Sequence, residues 1–202
     1  DKGLAGALNS NVIREMVRQV KQFSNVQIEY IAVGKKGRDF LRYTRREIVA
    51  IFDSIGDKPQ YLATLPISGM VIDGFSMKEY DAVYVAYSHY VSTLVQKPVM
   101  KKLLPVELDI TEDKKTKVNQ VPLFEPSAEV ILERLLPYYI EQTIYMAVLD
   151  SNASEHSARM MAMKNATDNA KEVQKSLQLQ YNNARQAQIT QQIAEIASAT
   201  MI

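Results

Sequence analysis

The sequence predicts an α/β domain followed by one very long helix. Two observations carry this expectation. Up to residue 124, β-branched runs alternate with segments of helical period, the pattern of a sheet with helices packed on it. Beyond that, the last glycine is Gly74 and the last proline is Pro137, so nothing from Tyr138 to Ile202 breaks a helix. At ~1.5 Å per residue such a helix is on the order of 100 Å long. Globular helices run to roughly 8–20 residues, and a longer span suggests a coiled coil or an axle. The domain before it cannot cover such a rod, so much of it must meet other protein.

Composition narrows the function classes. Of 202 residues, 47% are hydrophobic, enough for a core. The 24 basic and 23 acidic side chains leave a net charge of +1, which is no footprint for nucleic acid. The absence of cysteine excludes disulfides, cysteine metal sites and a thiol switch. No run approaches ~20 consecutive apolar residues, so no helical membrane span is expected. No apolar stretch follows Asp1-Lys2-Gly3-Leu4, so a signal peptide is not expected there.

In order, residues 1–10 are small and glycine-containing. In residues 11–24, Val12, Ile13, Met16, Val17, Val20 and Phe23 have the spacing of an amphipathic helix, with Asn9, Ser10 or Asn11 as its N-cap. VQIEYIAVG (26–34) reads as a strand ending at glycine. KKGRDFLRYTRR (35–46) is a basic helix or turn, and EIVAIFD (47–53) a second strand. After the breaker loop at 55–59, a helix runs from Tyr61 to about Glu79, with Pro66 in its first turns or at a kink. YDAVYVAYSHYVS (80–92) and TLVQKPVMKKLLP (93–105) pair as an antiparallel hairpin with Pro98 at an edge or bulge. Residues 107–117 form a charged, solvated loop, and 121–127 a final extended piece. Ser127 caps a short helix over 128–136, and Pro137 opens the long one.

The tail carries a thin seam. Met163, Ala166, Ala170, Val173 and Leu177 follow 3–4–3–4 spacing, and Ala184 lies seven residues further on. Ile189, Ile193 and Ile196 then shift the stripe, as a stutter would. A lone helix with so narrow a stripe is marginal in water. It needs a partner helix in close contact, which the alanines permit. From Gln186 to Ile202 the one charged side chain is Glu195, so the tip is expected to be enclosed by protein.

No catalytic constellation stands out. The glycines of GLAG (3–6) lack the spacing of a phosphate loop and suit a tight turn. His89 lies in a strand and His156 in the tail, neither with a second histidine or carboxylate at metal-ligand spacing. His156 stands in Ser154-Glu155-His156-Ser157; a His/Ser pair three or four residues apart is common on helix surfaces, and a surface or packing role is expected for both histidines. Lys35, Lys36, Arg38, Arg42, Arg45 and Arg46 are the one local basic excess, a solvated face or a contact for acidic partners or lipid headgroups. Met160, Met161 and Met163 suit either helix packing or an adaptable contact surface. No catalytic residue, cofactor or metal is expected.

SEHSARMMAMKNATDNA (154–170) and LQYNNARQAQIT (179–190) resemble the C-terminal helix of the gamma subunit of F-type ATP synthase. DKGLAGALNSNVIR (1–14), AVGKKGRDF (32–40), YDAVYVAYSHYVSTLVQKP (80–98), LLP (103–105) and FEPS (124–127) resemble the same family in the same order, so the likeness covers essentially the whole chain. It implies a Rossmann-like α/β foot domain at 1–126 and a helical region at 127–202 whose long helix forms an antiparallel coiled coil with an N-terminal helix. That helix and the first strand would precede Asp1, so the sequence is expected to be a fragment or one piece of a broken chain.

The resemblance further implies a rotor shaft that does no phosphoryl chemistry. The shaft turns inside the hexamer of alpha and beta subunits, and its foot lies against the epsilon subunit and the c ring. It couples proton flow to the nucleotide affinities of the catalytic beta subunits. Arg185, Gln186 and Thr190 match the family's ARQxxIT stretch, which engages the beta-subunit catch, and Glu195 matches an acidic terminal position. The foot region that meets the c ring maps to Leu104, Pro105, Glu107 and Asp109. Gln192 stands where the family has an acidic residue, and Ala199-Thr200 where it has Gly-Ala. Without cysteines the thiol switch of plant chloroplast versions is absent, so a bacterial origin is expected, peripheral at the cytoplasmic face of the plasma membrane. Two other readings stay open: an α/β adaptor that homodimerises through its coiled-coil arm, and a nucleotide-binding α/β enzyme with a helical extension.

Overall fold

A computed structural model describes residues 3–23, 26–53, 55–106 and 127–199. The chain divides into two compact units, Asp1–Arg159 and Met160–Ile202.

The first unit is mixed α/β. Helix α1 spans Leu8–Val20. It starts earlier than its apolar period suggests, because Leu4 and Gly6 take φ of 64° and 57° and turn the chain just ahead of it. Ala7 therefore falls at the N-cap, without a side-chain cap. Of the three expected caps, Ser10 instead bonds back to the Ala7 carbonyl and Asn11 accepts from Arg14. Strand β1 (Tyr30–Val33) leads through Gly34, at φ 93°, into α2 (Lys35–Tyr43) and then β2 (Ile48–Phe52). A side chain is strained at such a φ, which is why glycine makes this turn. β1 and β2 pair in parallel, with α2 as the crossover.

Helix α3 spans Tyr61–Ser76 and carries Pro66 in its interior. The proline removes the bond to the Leu62 carbonyl, but Leu62 is exposed and water can replace it. Strands β3 (Val83–Tyr90) and β4 (Gln96–Leu104) form the expected antiparallel hairpin. Among the described residues the strands make two separate pairs rather than the single sheet expected, since each strand bonds only its neighbour in sequence. The α/β class stands, but the sheet is divided. The loop expected at 107–117, and all but the last residue of the extended piece expected at 121–127, lie outside the described residues.

Helix α4 runs unbroken over Ala128–Ala199. The helix boundary expected at Pro137 is therefore absent. The ring costs one bond, to the carbonyl of Glu133, and residues 132–136 are all exposed, where water can take it. Ser127 does cap the start, its Oγ accepting from the Val130 N–H at 3.4 Å.

The core brings Ile67 and Val71 of α3, Leu103 and Leu104 of β4, and Ile140 and Ile144 of α4 together. Phe52, Ile31, Val83 and Val85 of the strands pack around them. Burying such side chains is worth ~1.5–3 kcal/mol each, so this cluster fixes α4 to the domain at its first deeply buried turns.

Candidate functional site

Along α4 the buried stripe changes chemistry. Ile140, Ile144 and Ala147 face the apolar core. The next positions of the same stripe are Ser151, Ser154 and Ser157, and here the helix meets backbone rather than side chains. Ser88 of β3 is opposite Pro98 of β4. The Val91 N–H donates to the Val95 carbonyl at 3.2 Å. Counting back from there, Ser88–Pro98 is a pair whose backbone groups point away from each other. Ser88 therefore presents its N–H and C=O outward, to α4. The Ser151 hydroxyl accepts from that N–H at 3.4 Å, and the Ser154 hydroxyl donates to that carbonyl at 3.0 Å. Ser154 is wholly buried, at 0% exposure. Ser157 donates to the Thr93 carbonyl in the hairpin loop at 2.9 Å.

Other α4 side chains extend this attachment. Asn152 donates to the carbonyls of Asp57 (2.8 Å) and Gly56 (3.3 Å). Asp150 lies 2.6 Å from Nδ1 of His89. Arg159 pairs with Glu155 and donates to the Gly3 carbonyl at 3.4 Å. At the other end, Tyr61 donates to Glu141 and packs edge-on against Tyr145, with ring centroids 5.6 Å apart. Burial pushes the Tyr87 phenol up, helped by the nearby Asp150 charge. Around His156 the sequence leaves a surface or a packing role open; the structure buries Ser154 and Ser157 on either side of it, while His156 stays exposed. The available signal was a hydroxyl at every third position of a stripe that is apolar one turn earlier.

In the second unit, the seam positions Met163, Ala166, Ala170, Val173, Leu177 and Ala184 are all exposed. Val173 and Leu177, with Ala170 and Tyr181, line a shallow groove edged by Gln174 and Gln178. Arg185, Gln186, Thr190 and Glu195 are exposed too. Thr190 Oγ1 donates to the Gln186 carbonyl at 2.9 Å, and Gln191 Nε2 donates to Glu195 at 3.0 Å. Of the expected foot contacts, Leu104 is buried in the core and Pro105 is exposed just beyond β4. Glu107 and Asp109 lie outside the described residues. In the basic cluster, Arg38 is tied to Asp39 and Asp53, and Arg42, Arg45 and Arg46 are exposed.

Among the described residues no group of His, Cys, Asp and Glu is arranged to hold a metal, and no helix is long and apolar enough to cross a membrane. The side chains gathered along α4 hold backbone groups and each other. The fold and site thus define a class: an α/β domain packed on a long helix whose later apolar stripe is exposed.

The comparisons give the family. A family model described as ATP synthase matches residues 1–201. The ATP synthase gamma chain of Roseiflexus castenholzii is 48% identical over 200 residues, 98% of this chain and 68% of the relative. That of Pelotomaculum thermopropionicum is 46% identical over 196 residues, 97% of this chain and 68% of the relative. The chain belongs to the ATP synthase gamma-chain family, the central stalk of that complex. The central stalk and c ring structure of Tetrahymena thermophila mitochondrial ATP synthase includes a chain that matches with TM-score 0.60 at 25% identity, over 83% of this chain and 72% of that one. The rotor of the Euglena gracilis enzyme matches in fold, with TM-score 0.60 at 20% identity, over 94% and 71%.

Proposed function

We propose that this chain is the rotating shaft that couples turning of the c ring to conformational change in the catalytic beta subunits, and that it performs no phosphoryl chemistry itself. One observation carries the reading: α4 is held along 140–159 by core packing and directed hydrogen bonds, yet from Met163 to Ala184 it presents a bare apolar seam. A helix secured at one stretch and unpartnered along another is suited to work inside other protein. The alpha and beta subunits, the epsilon subunit and the c ring are the partners on this reading. The c ring accompanies the matching stalk of the Tetrahymena structure.

Arg185, Gln186, Thr190 and Glu195 take the beta-subunit catch. Pro105, with the region of Leu104, Glu107 and Asp109, takes the foot contacts. Residues 1–126 make the foot and 127–202 the helical region, and the complex sits at the cytoplasmic face of a bacterial plasma membrane. The full chain, mixed with alpha and beta subunits, is expected to assemble with them and to turn an attached bead when ATP is added. A stable homodimer through the tail, with no affinity for the alpha–beta hexamer, would replace this reading with the adaptor. ATP bound by the chain alone would replace it with the nucleotide-binding enzyme.

A further inference from the structure

Apolar burial holds α4 on the domain, but it is non-directional. It resists separation better than it resists sliding along the helix axis or rolling about it. A shaft under torque needs both prevented. Hydrogen bonds to fixed backbone groups supply what burial lacks, because they weaken steeply when distance or angle changes. Ser151, Ser154 and Ser157 make three such bonds, to the N–H and C=O of Ser88 and to the carbonyl of Thr93. All three backbone groups belong to one hairpin, and Ser88 belongs to its ladder, which does not shift independently. Rolling α4 would break the two Ser88 bonds together. Sliding it would also misplace Ser157.

We propose that Ser151, Ser154 and Ser157 are positioning residues that key α4 to the β3–β4 hairpin and fix its rotational and axial register, so that torque crosses between helix and domain without slip. The proposal rests on the shaft reading above. It assigns the load path within the first unit to three hydroxyls bonded to backbone groups of the hairpin.

The test uses the complete synthase in proteoliposomes, carrying the full chain with Ser151→Ala, Ser154→Ala and Ser157→Ala together. ATP hydrolysis and proton pumping are measured side by side, with and without an opposing proton gradient. Hydrolysis per assembled complex should stay within about twofold of the parent, while pumping against the gradient falls by about fivefold or more, fivefold being the scale of losing just one of the three bonds. The single change Ser157→Ala should show a smaller loss of the same kind and Ser157→Thr, which keeps the hydroxyl, should restore it. This pair decides the question if the triple variant does not assemble. A role in stability alone would lower hydrolysis and pumping in step with the amount of complex. That result, or a pumping-to-hydrolysis ratio equal to the parent's under load, overturns the proposal. Failure of the unsubstituted chain to support pumping would instead overturn the shaft reading.

Discussion

The phenol of Tyr61, the first residue of α3, donates to the carboxylate of Glu141, 80 residues later on α4. That bond, with desolvation and the Glu141 charge behind it, pushes the phenol from its ordinary value of 10.0 up to about 12. A raised folded-state value means that the fold prefers the protonated phenol. The stability this brings is complete below about pH 10 and is lost as pH rises toward about 12. Tyr61→Phe should therefore flatten the fall in stability across that window, and the phenolate absorbance titration should lose its highest step. A titration above pH 11 that superimposes on the parent's, scaled for one fewer tyrosine, would show that the pair does not form.

Gly74 lies on α3 against the ring of Tyr80. A Cβ there would stand 2.4 Å from Cε2 and 2.9 Å from Cδ2 of that ring. Alanine gains about 1 kcal/mol over glycine within a helix, but forcing a packed ring aside costs about 1–3 kcal/mol. Gly74→Ala should come out destabilising by about 1 kcal/mol in urea unfolding. With Tyr80→Ala already in place the sign should reverse. The same loss in both backgrounds would mean that the ring is not the obstacle.

Pro137 sits within α4 without ending it. Replacing it restores the N–H that the Glu133 carbonyl lacks and removes a penalty that reaches about 3 kcal/mol in a helix interior. Pro137→Ala should slow amide hydrogen exchange between residues 131 and 137, with little change at Ile144. Faster exchange in that turn would indicate that the proline serves the helix start.

Val173 and Leu177 are 57% and 58% exposed. Substitutions at such positions usually move stability by less than about 0.5 kcal/mol. Val173→Asp with Leu177→Asp should leave the unfolding of the α/β unit where it was and yet prevent assembly with the alpha and beta subunits. Normal assembly would remove the seam from the list of contact surfaces.

Much of the fold was legible because period and breakers act locally. The alternation of Val83 to Tyr90, the interruption at Ser92 to Leu94 and the return at Gln96 announce the hairpin within a short window. The helix boundary at Pro137 was not legible, since whether a proline ends a helix depends on whether the freed carbonyl finds water. The serine attachment was hidden for a deeper reason. Its partners are the backbone N–H and C=O of Ser88 and the carbonyl of Thr93, and backbone groups carry no sequence identity. Asp150 and His89 are 61 residues apart, beyond the reach of any spacing rule. The bare seam was the reverse case: a 3–4 pattern of small and apolar residues can be read directly, whatever later covers it.

The pairing of Ser88 with Pro98 has one further consequence. An exposed strand edge invites another chain to add to it, and with it aggregation. In this hairpin the outward groups of Ser88 are already taken by α4, and on the far side Pro98 offers no N–H while Lys97 and Lys101 are exposed nearby. Around this pair neither edge is an open template. The helix that serves as a stalk thus also guards the hairpin against strand addition, and a chain whose α4 had not yet docked would carry the open edge until it did.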